Sequence, residues 1–221
     1  MSTDAVKTVS VEIAGKEISF ETGKMAKQAS GAVVVRQGDT MVLSTATIGN
    51  LRDVDFLPLT VDVEERMYAA GKIPGSFFKR EGRAGEKATL IARMIDRPLR
   101  PLFPKGWRRE TQLVGMPLSV DQIHPYDVLA MNGASAAVVI SDIPFPSPVG
   151  AVRIGKDAEG NFLINPTEEQ LLESDLDLVV SGTDEAILMV EAGANEISVP
   201  PISTETRCTS GMCPFLAPAH R

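Results

Sequence analysis

The sequence predicts a mixed α/β domain, because segments with two different hydrophobic periods alternate along it. Residues 32–36 and 41–47 are rich in valine and threonine, which suit the pleated surface of a strand. Between residues 86 and 97 the apolar side chains instead recur at helical spacing. Residues 126–140 are small or apolar on nearly every side, which indicates a helix buried inside the domain.

The N-terminal third is predicted to be β-structure. Alternation of apolar and polar side chains indicates five strands, at residues 8–13, 17–20, 32–36, 41–47 and 57–63. Gly15 and Gly38 lie between successive strands, at positions where a tight turn would join them. We therefore expect two hairpins followed by one further strand.

A glycine-rich, basic stretch follows at residues 69–85, AAGKIPGSFFKREGRAG. It has no helical or strand period and is expected to be an ordered loop. In the helix at residues 86–97, Arg93 and Arg97 are four apart and project from a side away from the apolar stripe. Pro98 is expected to end this helix, because proline disfavours helical geometry before it and has no N–H.

The second half of the chain continues the mixed pattern. Strands are expected at residues 113–120, 151–154, 162–164, 176–181 and 186–191, with a short helix at residues 167–173. Without an internal repeat or linker before about residue 196, residues 1–197 are interpreted as one domain. Residues 198–221 contain four prolines, no periodicity and both cysteines, and are expected to be an unrelated, disordered tail.

Charge is segregated along the chain, although the formal total is −7. From Lys72 to Arg109 there are eleven lysines or arginines against three acids, which makes this segment +8. The remainder holds eleven bases and 26 acids, a balance of −15. Such segregation predicts one surface that attracts a polyanion, although a basic run of this kind also occurs simply as a solvated face.

Several other function classes are disfavoured. No stretch is long and apolar enough for a membrane-spanning helix, and the start, MSTD, lacks a secretory pattern, so a cytoplasmic location is expected. Cys208, Cys213 and His220 fall short of the four ligands of a structural zinc site, and no metal site is predicted. His124, beside Pro125, is interpreted as a loop histidine and not as a catalytic base.

Residues 77–103, FFKREGRAGEKATLIARMIDRPLRPLF, resemble the signature of the first ribonuclease-PH-like core of bacterial polynucleotide phosphorylase. Further blocks are similar to the same family in the same order, among them PLTVDVEERMYAAGKIPG, LAMNGASAAVVISDIPFPSPVGAVRIG and DLDLVVSGTDEAILMVEAGANEI. The resemblance spans roughly residues 9–197. It implies a ribonuclease-PH-like fold, also described as like ribosomal protein S5 domain 2, with a β-α-β-α core and a mixed sheet.

The resemblance also implies a function. Enzymes of this family carry two such cores per subunit, assemble as homotrimers around an RNA channel, and use phosphate and Mg²⁺ to shorten single-stranded RNA from its 3′ end. This chain would be the RNA-guiding and trimer-forming half, and neither a membrane nor DNA is expected as a partner. The alternatives are a non-catalytic RNA-binding or assembly module, and the guanosine pentaphosphate synthetase activity sometimes ascribed to the family.

The family's channel entrance corresponds to the loop around residue 80. RNA contact is therefore carried over to Phe77, Phe78, Lys79, Arg80 and Arg83. Aromatic faces and cations of this kind bind single strands by stacking and charge. The two phenylalanines could alternatively pin the loop to the core. Arg93, Arg97 and Arg100 have two interpretations: contact with phosphate or RNA, or pairing with Asp96, Glu86 and acids of neighbouring subunits.

No catalytic residue is expected in this core. Where the family's second core has two aspartates and a lysine that hold Mg²⁺ and the leaving group, this sequence has Leu171, Asp177 and Val179. A lone carboxylate is a poor Mg²⁺ site. The phosphate-binding serines have only Ser135 as a partial counterpart. Mg²⁺ and phosphate are thus expected in the complete enzyme but not on this fragment, and a frameshift or truncation is expected to explain the tail.

Overall fold

The computed structural model describes residues 6–75 and 81–195, which form two β-sheets around two long helices. The first sheet contains β1 (Lys7–Ile13), β2 (Lys16–Thr22), β3 (Gly31–Gln37), β4 (Thr40–Leu51), β5 (Leu59–Val63) and β6 (Arg109–Ser119). The second contains β7 (Gly150–Lys156), β8 (Phe162–Ile164), β9 (Leu176–Gly182) and β10 (Ile187–Ala194). The helices are α1 (Glu86–Leu99), α2 (Asp127–Val139) and the short α3 (Glu168–Leu172), with 3₁₀ turns at Met67–Ala70 and Arg100–Leu102.

The first sheet has the strand order β1-β2-β3-β4-β6-β5. All neighbouring strands are antiparallel except β5 and β6, which run parallel with Leu59 opposite Thr111. A parallel pair needs a long crossover connection, and here residues 64–108, including α1, supply it. Most of the basic segment is therefore this crossover.

The second sheet is antiparallel throughout, in the order β10-β9-β7-β8. Helix α2 packs against β3, β4 and β6 of the first sheet and against β7 of the second. This position explains why α2 is apolar on nearly every side, as the sequence predicted. Buried residues of both sheets and both long helices contribute to one hydrophobic cluster.

Small residues allow α2 to approach the first sheet closely. A Cβ added at Gly133 would lie 2.4 Å from Oγ of Ser44 and 2.9 Å from Cγ2 of Val35. A Cβ at Gly31 on β3 would lie 2.1 Å from the carbonyl oxygen of Ala137. The predicted packing role of the small residues in this helix is thus confirmed for Gly133.

Most of the predicted elements are present, and the mixed α/β fold class is confirmed. The prediction that Pro98 ends the first helix was wrong, since α1 runs to Leu99 and continues into a 3₁₀ turn. Pro98 removes one backbone donor, but it is fully buried, and the N–H of Arg100 still bonds the carbonyl of Asp96. Packing and one remaining hydrogen bond therefore extend the helix past the proline.

Strand boundaries differ by a few residues. β6 begins at Arg109, four residues before the predicted start, because its first residues pair with β4 and β5 despite their polar side chains. β5 begins at Leu59, after Pro58, which has no N–H to donate to a sheet. In the part of the chain that the structure describes, no helix is long and apolar enough to cross a membrane.

Candidate nucleic-acid interface

The basic crossover between β5 and β6 is the candidate site. Its described cations are Arg66, Lys72, Arg83, Lys87, Arg93, Arg97, Arg100, Lys105 and Arg108, and Arg109 begins β6 directly after it. Lys87, Arg93 and Arg97 lie on α1 and Arg100 lies on the 3₁₀ turn that follows it, so the fold concentrates positive charge on one connection. Phe77, Phe78, Lys79 and Arg80, four of the predicted RNA contacts, lie outside the described residues.

Glu81 attaches the basic loop to the residues that follow β5. Its carboxylate accepts hydrogen bonds from the backbone N–H of Met67 at 2.6 Å and from the Arg66 guanidinium at 3.0 Å. The N–H of Met67 and the charge of Arg66 hold the pKa of Glu81 below its usual value. Arg66 also pairs with Glu64 at 2.7 Å. Glu81 therefore fixes one end of the basic loop while it remains ionised.

Arg83 lies two residues after Glu81. It is exposed, and among residues 6–75 and 81–195 it makes no ion pair. Its guanidinium is thus available to an anionic ligand. Arg83 is the predicted RNA contact whose surroundings the structure describes.

Lys87 lies in the first turn of α1, next to a buried tyrosine. Its ammonium is 5.5 Å from the ring centroid of Tyr126 and 3.7 Å from a carboxylate oxygen of Glu168. Burial, together with the hydrogen bond that the Tyr126 hydroxyl donates to Glu65, raises the pKa of Tyr126 above its usual value. These contacts bring the start of α1 against the start of α2.

Arg93 and Arg97 of α1, and Arg100 in the turn that follows it, differ in their surroundings. Arg100 donates two hydrogen bonds to Asp96, at 2.7 and 2.8 Å, so the structure shows the pairing for this residue. Arg97 pairs at 2.6 Å with Glu191 of β10, an acid that the sequence did not indicate. Arg93 is exposed and makes no ion pair with any described residue. Exposed ion pairs such as Arg97 with Glu191 contribute little to stability.

A second charged cluster lies between α2 and the second sheet. Arg153 of β7 contacts Asp177 of β9 through two nitrogens, at 2.6 and 2.7 Å, and Asp127 of α2 through a third, at 2.5 Å. Burial raises the pKa of Asp127, and the charge of Arg153 opposes that shift. Burial disfavours the Arg153 guanidinium, but its two acidic partners raise its pKa above the usual value.

This cluster occupies the position where the sequence suggested a degenerate catalytic centre. Asp177 is held by a guanidinium, Val179 is buried in the core, and Leu171 lies on α3. The hydroxyl of Ser135 accepts a hydrogen bond from the N–H of Val149 at 2.8 Å and is buried. No group of three potential metal ligands occurs among the described residues.

His124 is held by an aspartate. Its Nδ1 lies 2.6 Å from Oδ2 of Asp121. The other carboxylate oxygen of Asp121 accepts hydrogen bonds from the backbone N–H groups of Ile123 and His124, both at 2.8 Å, and from the Thr40 hydroxyl at 2.9 Å. These contacts tie the loop before α2 to β4. The loop position of His124 is as the sequence indicated, and its pairing with Asp121 was missed.

Sequence reasoning also missed Arg153, Asp127 and Glu81. The sequence did hold a signal for Arg153 and Asp127. Arg153, like Asp177, is the lone charge within a predicted apolar strand, and Asp127 begins an apolar helix. A buried charge is expected to find a partner of opposite sign. Glu81, in contrast, stands among other charges and gives no such signal.

Comparison with known proteins places this fold in a family. A model of the 3′ exoribonuclease family, domain 1, matches residues 14–144, and a model of domain 2 of that family matches residues 147–202. The boundary between the two matches falls between α2 and β7, where the first sheet gives way to the second.

Curated relatives share this similarity over nearly all of the described chain. Polyribonucleotide nucleotidyltransferases from Heliobacterium modesticaldum and Thermomicrobium roseum are 57% and 58% identical over 195 and 191 residues, which are 87% and 86% of this chain. The same-named protein of Geobacillus kaustophilus is 56% identical over 192 residues. The chain spans about a quarter of the length of these relatives, 27%, 24% and 26%.

Solved structures support the fold. Rice (Oryza sativa) Rrp46 superposes with a TM-score of 0.64 at 13% identity, covering 90% of this chain and 85% of that one. An Archaeoglobus fulgidus exosome with RNA bound to the active site gives a TM-score of 0.60 at 15% identity, covering 89% of this chain and 80% of that one. The predicted ribonuclease-PH-like fold and the resemblance to polynucleotide phosphorylase are confirmed. Since the domain 1 model alone matches more than half of the sequence, the chain belongs to the 3′ exoribonuclease family.

Proposed function

We propose that this chain is the RNA-guiding half of a phosphorolytic 3′→5′ polyribonucleotide nucleotidyltransferase. In the complete enzyme this half would also support assembly as a homotrimer in the cytoplasm. The observation that carries the proposal is the concentration of +8 charge between Lys72 and Arg109, nearly all of it on the crossover, in a chain whose remainder is −15. The names of its relatives supply the substrate class, polyribonucleotide.

Single-stranded RNA suits this surface. A cationic loop attracts phosphates without reading sequence, and aromatic side chains such as Phe77 and Phe78 offer faces on which bases stack. The anchor at Glu81 restricts the end of the loop beside Arg83. An anchored loop loses less conformational freedom on binding than a free one.

The residues of this core do not suit Mg²⁺. Asp177 is neutralised by Arg153, and Leu171 and Val179 have no ligand atoms. Mg²⁺ binds through one or two carboxylates that keep free oxygens, together with substrate phosphates. Chemistry that needs Mg²⁺ and phosphate would therefore belong to a different part of the complete enzyme, and this core would bind RNA without cleaving it.

An RNA-binding titration tests the loop. Arg80→Ala combined with Arg83→Ala is expected to weaken binding of a single-stranded oligoribonucleotide and to reduce the slope of log K against log salt by roughly 1.4, or about 0.7 for each lost phosphate contact. The matched control is Lys7→Ala with Lys27→Ala, which removes the same charge from exposed positions outside the crossover. Equal losses in both double variants, or none in the first, would refute the loop assignment.

A further inference from the structure

Tyr68 lies at the point where the basic loop is anchored. The backbone N–H of the preceding residue, Met67, donates a hydrogen bond to the Glu81 carboxylate at 2.6 Å. Glu81 stands two residues before Arg83. Tyr68 and Arg83 are therefore near neighbours of one contact, which brings the two ends of the loop together. At this junction Tyr68 is 54% exposed, although it carries a large aromatic ring.

The backbone on both sides of Tyr68 is ordered by hydrogen bonds. Residues Met67–Ala70 form a 3₁₀ turn that ends at Gly71, which has a φ of 67° in the left-handed region. The N–H of Gly71 bonds the carbonyl of Tyr68, and the N–H of Lys72 bonds the carbonyl of Met67, both at 2.9 Å. This pair of bonds is the Schellman arrangement that closes a helical end. The turn therefore has a defined shape.

The turn is also attached to the first sheet. Ala69, the residue after Tyr68, is buried, and its carbonyl accepts a hydrogen bond at 2.8 Å from the N–H of Val120, directly after β6. The exposed ring of Tyr68 thus projects from a backbone that the sheet holds in place. A ligand that stacks on such a ring orders little of the protein, so little conformational entropy is lost on binding.

The acids beside Tyr68 already have partners. Glu64 and Glu81 both pair with the Arg66 guanidinium, at 2.7 and 3.0 Å. The third acid, Glu65, accepts a hydrogen bond from a tyrosine hydroxyl just before α2. These contacts offset the negative charge that the sequence places next to the ring.

Two cations near Tyr68 have no such partner. Lys72 and Arg83 are exposed, and neither forms an ion pair with a residue in the ranges 6–75 and 81–195. An exposed aromatic ring between unpaired cations suits a nucleotide, because the ring stacks on the base while the cations attract the phosphates on either side. Positive charge around the ring therefore favours a nucleic acid over a neutral or basic protein surface.

We propose that Tyr68 is a base-stacking residue for single-stranded RNA, with Lys72 and Arg83 binding the neighbouring phosphates. This inference rests on the proposed RNA-guiding function and adds to it a stacking position. Every base has an aromatic face, so stacking on Tyr68 strengthens binding without sequence preference. Such tolerance suits a surface along which RNA of any sequence must move.

The test is a fluorescence-anisotropy titration of the full chain with a labelled single-stranded oligoribonucleotide. Tyr68→Ala is expected to weaken binding about 5- to 150-fold, the range for loss of one stacked base. The slope of log K against log salt should stay unchanged, because no phosphate contact is lost. Tyr68→Phe keeps the ring and should restore binding to within about twofold.

Phe56→Ala is the matched control. Phe56 is 61% exposed and precedes β5, whereas Tyr68 follows β5, so the two aromatic residues lie at opposite ends of this strand. Phe56→Ala should bind RNA as the wild type does. Circular dichroism checks that each variant folds, and Tyr68→Leu, which keeps apolar bulk without a ring, replaces Tyr68→Ala if the latter does not fold.

An abasic oligoribonucleotide of the same length separates stacking from charge. The wild type and Tyr68→Ala should bind this strand equally, because it offers no base to stack. An equal loss on both strands, no loss on the base-bearing strand, or failure of Tyr68→Phe to restore binding would overturn the stacking role.

The variant Arg80→Ala with Arg83→Ala separates this result from the proposed function. If that double variant loses affinity while Tyr68→Ala does not, the stacking role is wrong and the RNA-guiding loop stands. If only Tyr68→Ala loses affinity, with its salt slope unchanged, the stacking role stands and the assignment of the arginines is wrong. A wild-type chain that does not bind RNA would overturn both.

Discussion

Arg153 lies between two carboxylates, one of which is almost completely buried. Asp127 is 5% exposed. The Arg153 guanidinium neutralises its charge and also pairs with Asp177. A buried carboxylate without a counter-charge is costly, whereas a paired one is tolerated. The cluster therefore fixes the second sheet against α2 through charge as well as through packing.

Replacing this guanidinium should be strongly destabilising. We expect Arg153→Met to reduce the free energy of unfolding by about 3–5 kcal/mol, because Asp127 is left unpaired. Arg97→Met removes the exposed pair with Glu191 and should cost at most about 1 kcal/mol. Urea denaturation of both variants measures the difference. Adding Asp127→Asn to Arg153→Met should recover part of the loss, and equal costs for the two single variants would refute the role of the cluster.

Asp121 makes the stability depend on acid pH. Burial by itself would raise its pKa, but the hydrogen bonds from His124, Ile123 and Thr40 lower it well below its usual value. A carboxyl whose folded pKa is depressed contributes stability above its unfolded pKa of about 3.9 and loses that contribution as the pH falls towards its folded pKa.

Asp121→Asn should therefore flatten the pH dependence. The wild-type chain is expected to lose stability progressively below about pH 4, and the variant should be less stable near neutrality but should lose less between pH 4 and pH 2. Chemical denaturation at a series of pH values measures both slopes. Asp39→Asn, which alters an exposed carboxylate on the neighbouring turn, serves as the control.

At the scale of elements, the contact between α2 and the first sheet depends on the absence of a side chain at Gly133. Alanine is favoured over glycine within helices by about 1 kcal/mol. Here the added methyl would meet Ser44 and Val35 at distances that no real contact shows. Steric conflict with two strands outweighs the gain in helix propensity.

Gly133→Ala is thus expected to destabilise the fold by about 1–3 kcal/mol, the usual cost of overpacking a core. Gly193→Ala on β10 introduces a methyl with no atom within 4 Å and should change stability by less than about 0.5 kcal/mol. Thermal and urea denaturation of the pair distinguish crowding from a general effect of replacing glycine. A stabilised Gly133→Ala variant would show that the helix and the sheet can separate at little cost.

For the molecule as a whole, the basic residues and the buried ion-pair cluster lie in different places. The cations lie on the crossover that joins β5 to β6, and the Asp127, Arg153 and Asp177 cluster lies between α2 and the second sheet. The RNA binding that we propose would therefore not require a metal site in this core. The two properties can be measured separately on the same chain.

The purified chain is expected to release no nucleoside diphosphate from single-stranded RNA in the presence of Mg²⁺ and phosphate. The physical reason is that Asp177 is paired with the Arg153 guanidinium, and Leu171 and Val179 offer no atom that could hold a metal ion or stabilise developing charge. Thin-layer chromatography of a labelled RNA detects the product directly. Release that is lost in a phosphate-free control would show that this core has catalytic activity of its own.

The sequence by itself determined the element types and the local charge. The two-residue period of the strands, the helical stripe before Pro98 and the apolar length of α2 are local patterns, because each reflects which faces of one segment are buried. The basic segment depends on residue identity alone, whereas the interpretation of Leu171 and Val179 as missing ligands came from the family resemblance. The assignment of Phe77, Phe78, Lys79 and Arg80 to RNA contact stays a prediction, as do the unrelated tail and the single domain.

Only the tertiary structure decided which distant charges meet. Arg153 finds Asp127 and Asp177 because β7 lies beside β9 and beneath α2, an arrangement that no spacing along the chain specifies. Pro98 remained within its helix because burial and the Arg100 hydrogen bond offset the lost donor.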